Sequence, residues 1–379
     1  RQMCIRDRFI ELQFYKGKEF YNQDIDIARL NTGRAAIWHA FRMTGCKAIW
    51  IPYYQCDTVR ETLLEYGVEV KYYHTDWNFN PIDLSPMDDE AVLFVNYYGV
   101  MSHKRMVDLA NQSKNPIIDN CQAFFNKPID GAMNIYSCRK FVGTPDGAYV
   151  IGKDAHKYVE KYPQCYSSDT ATFLLMRIEY GCEGKAYEAR SINEHRIDGE
   201  PVMKMSKLTR AILDGTDYEY IKRCRRDNFV FAHDMLGCIN KINPLQYYDE
   251  DTVPMVYPLV VEDEQLIQRL FDAKHFQGHW WSYICDEQPE NSFEYWISKY
   301  MIPITIDQRY GKEEQWKEHF EYLLPFFKDR RYVKIDNKPA MLIYQINKIG
   351  CFNKMIDCWN LLAEKSGFSG VYIVDMLTS

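Results

Sequence analysis

The sequence lacks two features that would assign it to large classes of protein. It has no block of basic residues, and its 46 lysines and arginines are outnumbered by 53 aspartates and glutamates, giving a net charge of −7. Nucleic-acid-binding proteins carry a basic patch, so the composition argues against a nucleic-acid partner. No run approaches 18 apolar residues and no signal peptide is visible, so we expect no membrane span.

The twelve cysteines also lack the spacing of a functional cluster. The sequence contains no Cys-x-x-Cys pair and no cysteine–histidine pattern of a zinc site, and most of the cysteines have apolar neighbours. Scattered thiols of this kind are typical of a reduced cytoplasmic protein and not of a disulfide framework or a zinc site. We therefore expect a cytoplasmic protein without a bound metal.

What the sequence does contain is a regular alternation of strand and helix patterns. A chain of 379 residues is long enough for two or three domains with a sizeable core. The run from Ala91 to Asn96 is continuously apolar, as in a parallel strand that is covered on both faces. Together with the strands expected at 48–52, 68–74 and 117–118, it predicts an α/β fold with a mostly parallel sheet covered by helices.

The most informative stretch runs from Ile117 to Ala148. Asp119 directly follows a short apolar strand, at the end where open α/β sheets place their ligands. Ser137 and Lys140 come next, three residues apart, and a turn rich in glycine follows over 143–147. A carboxylate, a hydroxyl and a lysine in this order suit pyridoxal 5'-phosphate (PLP), because the lysine can carry the cofactor covalently and the carboxylate can hold the pyridinium nitrogen.

A second motif, Asn31-Thr32-Gly33-Arg34, precedes an amphipathic helix. Thr32 is a plausible N-cap, and the backbone N–H groups that follow it could hold a phosphate at the positive end of the helix dipole. Taken alone, the motif is better explained by ordinary helix capping, because caps of this kind are common. Because the lysine lies downstream, we favour phosphate binding by Thr32, Gly33 and Arg34.

At these positions the sequence resembles the DegT-type sugar aminotransferases, which are PLP enzymes of fold type I. The resemblance covers roughly residues 9–311. It rests on the motifs LNTGRAA, DNCQAFF, SCRKFVGTPDGAY, MSKL and IPITIDQRYG. It implies a large PLP-binding domain over 9–245 and a smaller α/β domain over 246–311.

The resemblance also implies roles for individual residues. Lys140 and Asp119 would be catalytic, and the cofactor would be held by Thr32, Gly33, Arg34, Gln122, Ser137, Tyr53 and Tyr98. The family's ring-stacking aromatic residue aligns with Cys56, so that Tyr53 or Tyr54 takes this role or the ring is covered differently. An asparagine that reaches the partner subunit's phosphate in the family aligns with Val202.

The implied reaction is transfer of an amino group, usually from glutamate, to a keto sugar within surface polysaccharide biosynthesis, and we expect this sugar to be nucleotide-linked. A homodimer is expected. Sugar dehydratases of the same fold have histidine in place of the lysine, and Lys140 argues against that activity. Cys56 and Val202 keep open a second hypothesis, a binding or assembly protein that retains the fold without catalysis.

The two ends of the chain do not follow this pattern. Residues 1–8 resemble a translated sequencing-adapter remnant, although a disordered natural terminus would look similar. Residues 315–375 resemble WbsX-type proteins, a glycosyltransferase family related to barrel glycoside hydrolases. A segment at 312–379 with two strands cannot close a barrel of eight. We therefore expect a join near 311–315 in preference to a truncated natural fusion, and expect Phe326 and Phe327 to lack barrel neighbours.

Overall fold

A computed structural model describes residues 17–22, 26–182, 184–273, 275–310, 312–344, 346 and 352–376. The expected leader at 1–8 lies outside these residues. The chain divides into two compact units between Ile306 and Asp307.

The first unit is organised around a sheet of eight strands in the order β1-β8-β7-β6-β5-β2-β3-β4. These strands are β1 (Ile27–Leu30), β2 (Ala48–Pro52), β3 (Glu69–Thr75), β4 (Pro81–Ile82), β5 (Glu90–Val95), β6 (Pro116–Asp119), β7 (Met133–Ser137) and β8 (Ala148–Ile151). The five central strands, from β7 to β3, run parallel, and the pairs β1–β8, β7–β8 and β3–β4 are antiparallel. The predicted mostly parallel sheet is confirmed, with antiparallel edges that the strand patterns did not reveal.

Helices cover this sheet. They are α1 (Gly33–Thr44), α2 (Asp57–Glu65), α3 (His103–Ala110), α4 (Thr172–Tyr180), α5 (Lys185–Asp198), α6 (Lys207–Asp214) and α7 (Tyr218–Leu236). Every residue of β5 is buried, as its continuous apolar run requires. The apolar face of α1 is buried as well, including Ile37 and Phe41. The stretch 153–171 forms turns and one short 3₁₀ turn.

A two-stranded antiparallel sheet follows in the same unit. It pairs β9 (Val256–Val260) with β10 (Met301–Thr305). Three helices lie between these strands in the sequence, namely α8 (Leu266–Asp272), α9 (Ile284–Glu287) and α10 (Phe293–Tyr300). All five residues of β9 are buried.

The second unit has a small core of its own. Its elements are α11 (Lys312–Lys328), β11 (Lys334–Ile335), β12 (Lys338–Tyr344), α12 (Phe352–Lys365) and β13 (Tyr372–Met376). β12 and β13 pair in parallel through the crossover helix α12, which is the β-α-β piece that the pattern predicted. Phe327 is fully buried beside Phe320 and Trp359 in the core of this unit, whereas Phe326 is 51% exposed. In neither unit does a described helix have the length and apolar character to cross a membrane.

Candidate active site

Asp119 is the last residue of β6, so its side chain lies at the carboxyl edge of the parallel strands. One carboxylate oxygen, Oδ1, accepts a hydrogen bond from the backbone N–H of Cys121 at 2.8 Å. The backbone carbonyl of Asp119 accepts from the N–H of Asn96, which follows the neighbouring strand β5. The turn after β6 therefore fixes the carboxylate at the edge where ligands bind in such sheets.

Gln122 joins this turn to the loop after β5. Its buried Oε1 accepts the N–H of Tyr98 at 2.6 Å. Gly99, next in the chain, has φ +71°, and a Cβ there would lie 2.0 Å from the carbonyl oxygen of Gln122. Only glycine permits this approach. Gln122 and Gly99 together lock the two loops against each other.

Lys140 is positioned by β7, which ends at Ser137 and continues into a single 3₁₀ turn over Cys138–Lys140. The N–H of Cys138 donates to the carbonyl of Gly147 at 3.1 Å, so the turn is tied to the start of β8. The side chain of Lys140 is exposed. Its neighbour Arg139 points to Glu194 on α5, with which it forms an ion pair.

The Cys121 thiol is the point at which the parts of the site meet. Burial and then the Asp119 carboxylate raise the pKa of this thiol well above its usual value, and the Lys140 ammonium acts in the opposite direction. A Cβ on Gly33 would lie 3.8 Å from the Cys121 sulfur, which places the start of α1 at the same point. Asp119, Lys140 and the N-terminus of α1 therefore all lie near Cys121.

The start of α1 has the form that the sequence predicted. Thr32 is the N-cap, and its Oγ1 accepts the N–H of Ala35 at 3.0 Å. The N–H groups of Gly33 and Arg34 precede the first intrahelical donor, the N–H of Ala36, so they can bind an external anion. The Arg34 side chain contacts Asp198 and is directed away from such a role, which leaves its backbone N–H.

The aromatic candidates after β2 and β5 have other ring partners. Tyr53 stacks on Tyr72 with ring centroids 5.0 Å apart. Tyr54 is fully buried, and its hydroxyl lies 2.5 Å from that of Tyr98, while burial raises the pKa of both. Cys56 occupies the position of the family's aromatic residue. Burial raises the pKa of its thiol, and the Lys140 ammonium acts in the opposite direction.

Asp146 is a site residue that the sequence reasoning missed. It is fully buried, and its carboxylate accepts the N–H and the hydroxyl of Ser206 at 2.8 and 2.7 Å, the hydroxyl of Ser167 at 3.3 Å, and the hydroxyl of Thr209. Ser206 is the N-cap of α6, so the carboxylate sits at the positive end of that helix. The signal was present, because Asp146 lies in the PDG turn and Ser206 in the MSKL motif, but only the fold joins them.

Val202, at the position of the family's phosphate-reaching asparagine, is 8% exposed and packs in the main core. The polar contacts in this region are made by Asn31, whose Oδ1 accepts the N–H of Met203 at 3.1 Å and whose Nδ2 donates to Glu200. The loop before α1 is thereby tied to the segment before α6. Among the described residues, no group of three or more histidine, cysteine or acidic side chains is arranged to hold a metal.

The sheet order and its helices are shared with solved structures of sugar aminotransferases. The sugar aminotransferase CalS13 from Micromonospora echinospora is similar with a TM-score of 0.53 and 15% identity, over 76% of this chain and 85% of that one. PseC of Helicobacter pylori, an aminotransferase of pseudoaminic acid biosynthesis, has a TM-score of 0.50 and 12% identity, over 76% of this chain and 83% of that one. NtdA of Bacillus subtilis, solved with the cofactor PMP, has a TM-score of 0.50 and 14% identity, over 80% of this chain and 73% of that one.

These likenesses show the fold, which is the type I fold of PLP-dependent transferases that the sequence resemblance predicted. A family model described as glycosyltransferase WbsX matches residues 290–379. This match begins within the segment at 246–311 that the sequence resemblance assigned to the aminotransferase part. No curated protein matches the chain.

Proposed function

We propose that this chain is a PLP-dependent aminotransferase that acts on a keto sugar. The observation that carries the proposal is the meeting of Asp119, Lys140 and the α1 N-terminus around Cys121. The fold shared with sugar aminotransferases supports it, and NtdA, with bound PMP, supports the cofactor.

The residues present fit PLP in three respects. A carboxylate stands at the end of β6, an exposed lysine follows the neighbouring strand β7, and a helix N-terminus offers N–H groups to a phosphate. Within the described part of the chain, two buried oxygens near these loops, Gln55 Oε1 and Thr144 Oγ1, have no hydrogen-bond partner. Buried polar atoms normally find partners, so their isolation is consistent with a polar ligand.

Each of the candidate side chains would have a separate role in amino transfer. PLP, when bound, supplies an electron sink for the bond-breaking at the substrate carbon. Lys140 Nζ would anchor the cofactor and then move a proton to and from that carbon. Asp119 would hold a proton on the ring nitrogen through a charge-assisted hydrogen bond. Gln122 would contact the ring hydroxyl.

The phosphate would be held by Ser137 and by the N-terminus of α1, through Thr32, Gly33 and Arg34.

Burial raises the pKa of both Cys56 and Cys121, so these thiols stay protonated at neutral pH. A neutral thiol is a weak nucleophile. The two cysteines can therefore lie near Lys140 without competing for the cofactor's aldehyde. The ring would be covered by Tyr53 or Tyr54, or in a different way.

We propose glutamate as the amino donor, a nucleotide-linked sugar as the acceptor, and a homodimer in the cytoplasm. The dimer is supported by the exposed apolar residues of the α4–α5 hairpin, among them Leu175, Ile178 and Ile192, which are 61 to 81% exposed. Contiguous exposed apolar surface of this kind favours association. The ten cysteines in the described residues are free thiols, consistent with a reducing compartment.

The deciding experiment is borohydride trapping of the cofactor on Lys140. PLP-loaded protein is reduced with borohydride and digested, and the modified peptide is identified by mass spectrometry. We expect the label on Lys140, its loss in Lys140→Ala, and its retention in the control Lys153→Ala, an exposed lysine outside the site. A label that persists in Lys140→Ala would identify another lysine as the nucleophile.

Wild-type protein that binds PLP reversibly but forms no reducible adduct and transfers no amino group would support the alternative, a non-catalytic binding or assembly protein. Amino transfer is measured with glutamate and a panel of nucleotide-linked keto sugars. Turnover that requires Lys140 but not Lys153 would exclude this alternative.

A further inference from the structure

A cavity of about 440 Å³ lies outside the candidate active site in the first unit. None of Asp119, Lys140, Gly33 and Ser137 lines it. Its wall includes Ala123, in the turn after β6. The volume falls within the range of sites for small organic ligands.

Cationic side chains line one side of this cavity. Lys222 and Arg226 are one turn apart on α7 and therefore share a face of the helix. Arg226 donates from Nε to the carbonyl of Thr252 at 3.2 Å, and no carboxylate in the described part of the chain forms an ion pair with it. Lys222 pairs with Glu219, which is 79% exposed and holds it weakly.

The acidic residues of the lining are already engaged. Asp249 accepts the hydroxyl of Thr252 at 2.6 Å and the N–H of Asp251 at 3.1 Å, so it stabilises its own turn. Asp251 pairs with Lys127 at 3.2 Å, and both side chains are about two-thirds exposed or more. An exposed ion pair of this kind contributes little to stability, so it can separate when a ligand binds. The cavity therefore has a net excess of available positive charge on the α7 side.

The lining also contains aromatic side chains. Phe20 and Phe125 meet edge to face with ring centroids 5.1 Å apart, and Phe20 is only half-buried. Tyr21 completes this wall, with its hydroxyl turned away to donate to the carbonyls of Phe124 and Asn126 at 2.6 and 2.9 Å. A flat ring can pack on such a surface, and nucleobases do so with little regard to sequence.

We propose that this cavity binds a nucleoside diphosphate, at a site separate from the catalytic residues. Arg226 and Lys222 contact the phosphates, since arginine forms paired hydrogen bonds to phosphate oxygens. The base lies against Phe20 and Phe125. The proposal concerns binding alone and does not depend on the proposed aminotransferase activity.

The test is calorimetric titration of the PLP-saturated protein with UDP, uridine and inorganic phosphate. Saturation with PLP fills the phosphate position of the active site before the titration begins. We expect UDP to bind more tightly than either fragment. Arg226→Gln should weaken UDP binding by roughly tenfold or more, as loss of one charge-assisted phosphate contact implies. Lys222→Gln should weaken it to a lesser degree, and Arg226→Lys should retain part of the affinity.

Arg223→Gln is the matched control, because Arg223 lies on the same helix, is exposed, and does not line the cavity. Its UDP affinity should equal that of the wild type. The proposal fails if UDP does not bind, if Arg226→Gln binds it normally, or if Arg223→Gln and Arg226→Gln weaken binding equally. Equal affinity for inorganic phosphate and UDP would overturn the nucleoside part. Thermal unfolding of each variant establishes that it is folded. If Arg226→Gln does not fold, Lys222→Gln takes its place in the UDP titration.

Discussion

Replacing Asp146 by asparagine should destabilise the protein and loosen the loop that carries Lys140. The buried carboxylate accepts hydrogen bonds from Ser167, Ser206 and Thr209, and no cation pairs with it among the described residues. An asparagine keeps one acceptor oxygen but turns an NH₂ group toward a donor. At least one hydrogen bond is then lost and one donor is left facing another.

The magnitude follows from the type of contact. A hydrogen bond to a charged acceptor contributes about 1.5–3 kcal/mol, and an anion at a helix N-terminus adds about 0.3–1 kcal/mol. Neutralising the side chain also removes the cost of burying a charge, which offsets part of the loss. We therefore expect a decrease of about 2 kcal/mol in the free energy of unfolding. For a unit of roughly 300 residues, an unfolding entropy of about 2.1 cal/mol/K per residue converts this into a decrease in Tm of about 3 °C.

The assay is thermal unfolding followed by PLP titration of the folded variant. Asp169→Asn is the control, because Asp169 is exposed and its carboxylate accepts the hydroxyl of the neighbouring Ser168. Its Tm should stay within about 1 °C of the wild type, as expected for an exposed position. Asp146→Asn should also bind PLP more weakly, since the turn at Lys140 is bonded to Gly147. A Tm for Asp146→Asn that matches the control would refute the assigned role of the carboxylate.

Three further predictions concern other parts of the chain. Asp119→Asn should retain PLP but lose roughly 10²–10³ in single-turnover rate, as removal of an oriented charge implies; a near-normal rate would remove Asp119 from its role. Truncation after Gly311 should leave PLP binding intact, and residues 315–379 alone should lack glycosyl transfer and hydrolysis; loss of PLP binding on truncation would show that the segment is integral to the enzyme. Lys71 and Trp50 hold the pKa of Glu90 at about 2, below its usual 4.5. Because the folded-state pKa is depressed, the stabilisation is full above a pH of about 4.5 and is lost as the pH falls toward about 2. The difference in Tm between the wild type and Glu90→Gln should therefore narrow between a pH of about 5 and about 3, and a difference that is constant with pH would contradict this.

The parallel centre of the fold could be predicted from sequence because its signals are local. The apolar run that forms β5 and the carboxylate that ends β6 are each visible within a few residues. The antiparallel pairing of β1 with β8 could not be predicted in this way, since β8 follows β1 by more than a hundred residues. Such pairings depend on the whole sheet and leave no local pattern.

The candidate site likewise contains residues that local sequence patterns identify and residues that only the fold identifies. Thr32, Asp119 and Lys140 belong to short motifs with recognisable chemistry, and the structure brings their surroundings together at Cys121. The roles of Asp146 and Gly99 emerge only from contacts between distant segments, such as the approach of Gly99 to Gln122. Cys56 could be identified as a departure from the family pattern, but its place beside Lys140 required the fold.

The anchoring of the Lys140 loop constrains how the protein matures during synthesis. Asp146 lies 60 residues before Ser206, and the N–H of Gly147 bonds to the carbonyl of Asn31 at 2.6 Å. A nascent chain that has just produced Lys140 therefore lacks the partner that holds this loop in place. The parallel strands can assemble earlier, but the lysine is fixed only after α6 has left the ribosome and formed its cap. Cofactor capture must then be a late event in synthesis, and a chain that stalls before Ser206 would present the lysine without the geometry to retain PLP.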